Sequence, residues 1–218
     1  MYNLLMKDLK LGVNPMFLVM PLLMGALMLV PGWIYFIVVM YFFWITIPNI
    51  FAQFRAQNDL LFTTMMPVTK PDMVKARMSV IVILEILHIG TAMIYGLFTI
   101  RLYPDLTYYF FAPHLGFWGL CFIMVAIFNL FLFPMYYKTA YKYGPAQMTA
   151  IAAAVVFAVI AQWVGIQSSY VSDLFNGSGA DNAAIQTSIL AAGIVIFVAS
   201  TWIAYRISVA RFQRVEIQ

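Results

Sequence analysis

Residues 54–77 read FRAQNDLLFTTMMPVTKPDMVKAR, with Arg55, Asp59, Lys70, Asp72, Lys75 and Arg77 spread among small apolar groups. Long apolar runs flank the stretch, 33–54 before it and 78–100 after it. Each run is long enough to cross a hydrocarbon core of roughly 30 Å as a helix. A charged interruption between two such runs has to leave the hydrocarbon, so 54–77 reads as a loop on one membrane face with a short amphipathic segment of its own. Further apolar runs at 15–30, 114–136, 147–165 and 185–205 bring the expected count to six transmembrane helices. The composition agrees: 64% of residues are hydrophobic, 9% are charged, and the mean hydropathy is +0.91. The expected fold is an all-α integral membrane protein forming one transmembrane domain over 1–218. The runs are continuously apolar rather than alternating, which speaks against a β-barrel.

Six spans place Lys7, Lys10, Arg55, Lys70, Lys75, Arg77, Lys138, Lys142, Arg206, Arg211 and Arg214 on one side and Arg101 on the other, which accounts for all 12 basic residues. The excess of positive charge on cytoplasmic loops then predicts both termini inside, with 55–77 as a cytoplasmic loop and 206–218 as a cytoplasmic tail. The net charge of +4 reflects this topology, and no nucleic-acid partner is needed to explain it.

The opening segment 1–14 is not expected to be a cleavable signal, because Lys7, Asp8 and Lys10 interleave with apolar residues. It reads as an interfacial helix with Met1, Leu4, Leu5 and Leu9 on one face. Pro31-Gly32 marks a tight turn between the first two runs. The other connections opposite the loop are short, and Asn176-Gly177-Ser178-Gly179 reads as a flexible turn rather than a glycosylation acceptor. Cys121 is the single cysteine, so no intramolecular disulfide is expected.

Polar residues inside the spans are the default functional candidates. Glu85 and His88 stand three apart on the third span and are expected to share a face, as a hydrogen-bonded pair or a proton-coupled site. One pair without further carboxylates makes a poor relay, which favours the structural reading. Thr46, Asn49 and Gln53 form an expected polar stripe on the second span, suited either to a translocation path or to interhelical hydrogen bonds. Ala150, Ala154 and Ala158, continued by Ala161 and Gly165, form a small-residue surface suited to close packing within the subunit. No phosphate loop, zinc-binding helix, nucleophile elbow or dinucleotide fingerprint is present. No catalytic residue, metal site or bound cofactor is expected in this chain, and energy for active transport has to come from an ion gradient or from another subunit.

Within 54–77, Asn58 or Asp59 is expected to cap a helix carrying Leu60, Leu61, Phe62, Met65 and Met66 and ending before Pro67. Its exposed apolar side needs a partner. The run Met66-Pro67-Val68-Thr69-Lys70-Pro71-Asp72-Met73-Val74-Lys75-Ala76-Arg77 resembles the LPV-(S/T)-(R/K)…V…(A/S)-(R/K) signature at the entry to the third span in permeases of the type-2 ABC exporter family. Tyr2-Asn3-Leu4-Leu5-Met6-Lys7-Asp8-Leu9 is similar to the N-L-(I/L)-x-K-D-(L/F) start of small bacterial members.

That resemblance implies a non-catalytic permease subunit in a bacterial plasma membrane. It also implies pairing with a second permease, expected as a homodimer with a heterodimer as the alternative, and cytoplasmic ABC ATPase subunits that carry the ATP and Mg. By position, the family's coupling helix falls on 58–66, with 67–77 behind it, and the elbow helix on 2–11. The sequence departs from the pattern at Pro71, where the run is expected to shorten, and in the fifth-to-sixth connection, which is too short for an external domain. The implied activity is ATP-driven export of an amphipathic or hydrophobic substrate, an antimicrobial peptide being one such cargo. The alternatives are an ion-coupled secondary transporter using Glu85 and His88, and a membrane scaffold that binds a soluble partner through the loop.

Overall fold

The computed structural model describes residues 2–11, 13–139, 142–177 and 179–215. Met1, Ser178 and the last three residues of the expected tail lie outside the described residues. Among the described residues the chain is helical and has no strand. In chain order the elements are α1 (Tyr2–Leu11), α2 (Met16–Gly25) with a 3-10 extension (Ala26–Leu29), α3 (Phe36–Tyr41), a π turn (Phe42–Thr46) leading into α4 (Ile47–Ala56), α5 (Asp59–Thr64), α6 (Lys70–Leu102), α7 (Leu115–Thr139), α8 (Tyr143–Gln167), α9 (Ser169–Asn176) and α10 (Ala180–Gln213).

Five stretches are helical, long and apolar enough to cross a membrane: Phe36–Ala56, Lys70–Leu102, Leu115–Thr139, Tyr143–Gln167 and Asn182–Gln213. The run expected as the first span is the shorter apolar helix Met16–Leu29. Ten α-helical and four 3-10 residues rise only about 23 Å. Its end lies beside the end of α6, where the Met28 carbonyl accepts a 2.6 Å hydrogen bond from Thr99. The chain then reverses at Pro31-Gly32, where Gly32 has φ +69°, a conformation costly for any side chain with a Cβ.

The longest helices extend beyond their apolar runs. α6 starts at Lys70 rather than 78. Thr69 caps it by accepting from the Asp72 N–H at 3.3 Å, and its hydroxyl donates to the Asp72 carboxylate at 2.6 Å. Pro71 occupies the first turn, where no backbone N–H is required, so it initiates the helix instead of shortening the run. α10 continues to Gln213, so most of the expected tail is helix, and Arg211 ties it to the Pro134 carbonyl at 2.8 Å.

α7 forms the centre of the bundle. α10 crosses it at Gly119 and Gly193, where a Cβ on either glycine would overlap the other helix's backbone. α8 lays buried Ala150, Ala154 and Ala158 inward, and Gly165 meets the Phe111 ring, so the small-residue surface packs within the chain. Aromatic contacts fill the rest of the core, including Phe43 stacked on Phe128 at 3.9 Å and Phe36 against Phe117 at 4.9 Å. The outer faces of α2, α8 and α10 expose Leu, Val, Ile and Trp side chains, as a lipid solvent allows.

One end of the bundle gathers α1, α5, the start of α6 and the end of α10, where Lys70 donates to the Val215 carbonyl at 2.7 Å. At the opposite end the expected flexible turn is preceded by helix α9. Asn176 Oδ1 accepts from the Ala112 N–H at 2.8 Å, and Asn176 Nδ2 donates to the Tyr108 carbonyl at 3.3 Å, so this side chain is a structural clamp.

Candidate functional site

The short helix α5 is amphipathic with the usual sides exchanged. Of its polar side chains Asp59 and Thr63 are buried and Thr64 is half-buried, whereas Leu61, Phe62 and, just past the helix, Met65 are 48%, 55% and 75% exposed. Charge pairing on the inner side accounts for this inversion. The Asp59 carboxylate accepts from Lys7 of α1 at 2.7 Å and from the Arg77 guanidinium of α6. Lys7 also donates to the Thr63 hydroxyl at 2.6 Å, which in turn donates to the Asp59 carbonyl at 2.7 Å. Asp8 closes the network, 3.2 Å from Arg77 Nε and 3.0 Å from Lys7. Two carboxylates, one ammonium and one guanidinium sum to zero, so the cluster can be desolvated without a net buried charge. The Arg77 guanidinium lies 3.5 Å from the centre of the Phe54 ring, which adds a cation–π contact from the end of α4. Burial pushes the Asp59 carboxyl up, but Arg77 and Lys7 outweigh it and hold the group below the usual aspartate value.

The N-terminus of α5 differs from the expected side-chain cap. Asn58 takes a left-handed conformation, φ +48°, with no capping hydrogen bond, a geometry asparagine tolerates better than most residues. Asp59 cannot cap because its carboxylate is held by the two cations. The helix ends at Thr64 rather than Met66. Met65 follows as the C-cap, Pro67 is exposed, and Leu60 turns inward against the core.

The two intramembrane groups expected from the sequence do not form as expected. Glu85 and His88 are both buried but find different partners. Glu85 Oε2 accepts from Asn129 Nδ2 of α7 at 2.9 Å, while His88 Nε2 lies 2.9 Å from the Val38 carbonyl. A carboxyl and an imidazole sharing a face can still point to different neighbours when each has a nearer one. Thr46, Asn49 and Gln53 do not form a single stripe: Thr46 is buried, Gln53 is half-buried, and Asn49 is exposed with its amide on the Ile45 carbonyl at 2.6 Å. Thr46 closes the π turn at Phe42–Thr46, whereas Asn49 and Gln53 follow on α4. Pro48 lacks the N–H that the Phe43 carbonyl would otherwise receive in that turn. Gln147 of α8 supplies a donor to it at 3.4 Å.

Sequence reading missed Lys7 and Arg77 as partners of Asp59, Asp8 as the second carboxylate on those two cations, and Asn129 as the partner of Glu85. The last two had a visible signal. Asp8 interrupts the apolar face Leu4, Leu5 and Leu9, and Asn129 is the lone amide in the apolar run 114–136. Among the described residues no group of three or more His, Cys, Asp or Glu side chains could hold a metal ion.

No curated protein and no solved structure matches this chain. A family model described as ABC-2 family transporter protein matches residues 3–213. That match takes in α1, the α5 network and all of the long apolar helices, and the chain therefore belongs to the ABC-2 transporter family as a membrane permease.

Proposed function

We propose that this permease is one half of an ATP-driven exporter with six spans and both termini cytoplasmic, in which α5 is the coupling helix and α1 the elbow helix. The observation that carries this reading is the inverted burial of α5. Its charges are tied inward to α1 and α6, and Leu61, Phe62 and Met65 are left as an apolar knob at the end of the bundle. A cytoplasmic ATPase that closes on ATP would press on this knob. The buried ion pairs would carry the displacement into α6 and move the bundle between two packings. The chain itself remains non-catalytic, with ATP and Mg on the partner, and a second copy completes the path. The apolar, Met-rich spans suit an amphipathic or hydrophobic cargo such as a peptide, in a bacterial plasma membrane. The separate partners of Glu85 and His88 give no support to a carrier built on that pair.

The test is co-expression with the ATPase encoded beside the permease, purification through a tag on the permease, and measurement of ATP hydrolysis. Co-purified hydrolysis that collapses in Leu61→Glu and Phe62→Glu, with folding retained, is the expected result. A permease that purifies alone and still moves solute would overturn the proposal.

A further inference from the structure

A second feature lies away from α5, on the lipid-facing side. Here α6 and α10 run antiparallel and leave between them an open furrow of about 480 Å³. α6 lines it with Lys75, Ser79, Val82 and Ile86 along one helical stripe, and α10 with Phe197, Thr201 and Trp202. Phe197 is backed by α7, where the Phe122 ring lies 5.6 Å from its own.

Depth, charge and hydrogen-bonding capacity together define the occupant. From Lys75 to Ile86 an α-helix rises about 16 Å, close to the roughly 15 Å hydrocarbon depth of a single leaflet. Lys75 is the only charged lining residue and stands at the mouth, near the start of α6. Arg206, adjacent to the lining residue Tyr205, holds its guanidinium 5.8 Å from the Trp202 ring centre. Asp72, one turn before Lys75, has its carboxylate engaged by the Thr69 hydroxyl. Deeper in the furrow, the Thr201 hydroxyl is buried without a hydrogen-bond partner. Ser79 and Thr201 lie about one helical turn, roughly 6 to 8 Å, below the two cations. A glycerol ester occupies that level beneath a phosphate.

We propose that the furrow binds one acidic phospholipid of the leaflet on the side of the 54–77 segment. Its phosphate sits between Lys75 and Arg206, its ester groups lie at the level of Ser79, and an acyl chain runs along Val82, Ile86 and Phe197. The site stands apart from α5 and does not depend on the transport reading.

The experiment places the full chain in nanodiscs of phosphatidylcholine containing a titrated fraction of phosphatidylglycerol with brominated chains, which quench indole fluorescence on contact. The Trp202 signal is the difference between wild type and Trp202→Phe. Saturable quenching is expected at fractions well below those that quench the exposed Trp44 and Trp163. Lys75→Gln shifts the half-saturation about fivefold, and the double variant with Arg206→Gln about twenty-five-fold. Val82→Phe, which fills the furrow and keeps both cations, abolishes the saturable phase. The proposal is overturned if brominated phosphatidylcholine quenches Trp202 equally well. It is also overturned if the charge variants shift the curve but Val82→Phe does not, which would mean surface attraction alone. A Trp202 shielded from both lipids would mean that a second copy covers the furrow, and would overturn it too.

Discussion

Asp59 is the residue through which the α5 end of this permease is most exposed to single changes. Its two carboxylate oxygens each meet a different cation, Lys7 and Arg77, from helices far apart in sequence. Asp59→Asn leaves the network with one excess positive charge in a site where the side chains are at most 12% exposed. Asp8 still compensates part of it. The expected loss is on the order of 3 kcal/mol, the low end for removing one partner of a buried pair. Thermal unfolding in detergent measures it, and a loss below about 0.5 kcal/mol would place the cluster among weak surface pairs. The pH dependence has a defined sign. The folded-state pKa of Asp59 lies below the ordinary 3.8, so its stabilisation is complete above that pH and is lost as pH falls further. In Asp59→Asn this acid limb of the melting curve should flatten.

Helix existence was legible in the sequence, and helix ends were not, for a physical reason. Apolar runs report where lipid stops, but a helix stops where its terminal N–H and C=O groups find caps. Thr69 with Asp72 therefore sets the start of α6 at Lys70, two turns outside the apolar run. The position of α5 was readable from Leu60, Leu61, Phe62, Met65 and Met66. Its inversion was not, because Lys7 lies 52 positions and Arg77 18 positions from Asp59. The π turn before Pro48 is likewise a local departure that a fixed helical period cannot register. The α7–α10 crossing offers a test at this scale. Gly119→Ala sets a methyl against the Ile189 carbonyl and backbone and is expected to cost about 1–3 kcal/mol. Gly90→Ala, with nothing within 4 Å of its added Cβ, is expected to be neutral or stabilising. Unfolding in mixed micelles compares the two, and equal effects would mean that the tight crossing is absent.

For the whole molecule, the arrangement of ends is a stronger constraint than the number of long helices. Five stretches meet the length and hydropathy needed to cross, and an odd number of crossings would put the termini on opposite sides. The contacts argue otherwise. Lys7 of α1 is bonded to α5, Lys70 at the start of α6 to the Val215 carbonyl, and Met28 to Thr99 at the far end. In the proposed six-span topology the short Met16–Leu29 helix is the sixth crossing, and its rise of about 23 Å would call for local bilayer thinning and for its flanking residues to reach the interface. Cys121 is fully buried, so single reporter cysteines can be added without removing it. In intact cells a membrane-impermeant maleimide is expected to label Tyr109→Cys and Tyr170→Cys, at sites 69% and 71% exposed at the end opposite α5. Lys10→Cys and Arg214→Cys are expected to react only after permeabilisation, placing the basic end inside. Labelling of Lys10→Cys from outside while Arg214→Cys stays protected would reject the sixth crossing. With it would go the proposed cytoplasmic placement of α1, α5 and the end of α10, and the proposed coupling role of α5.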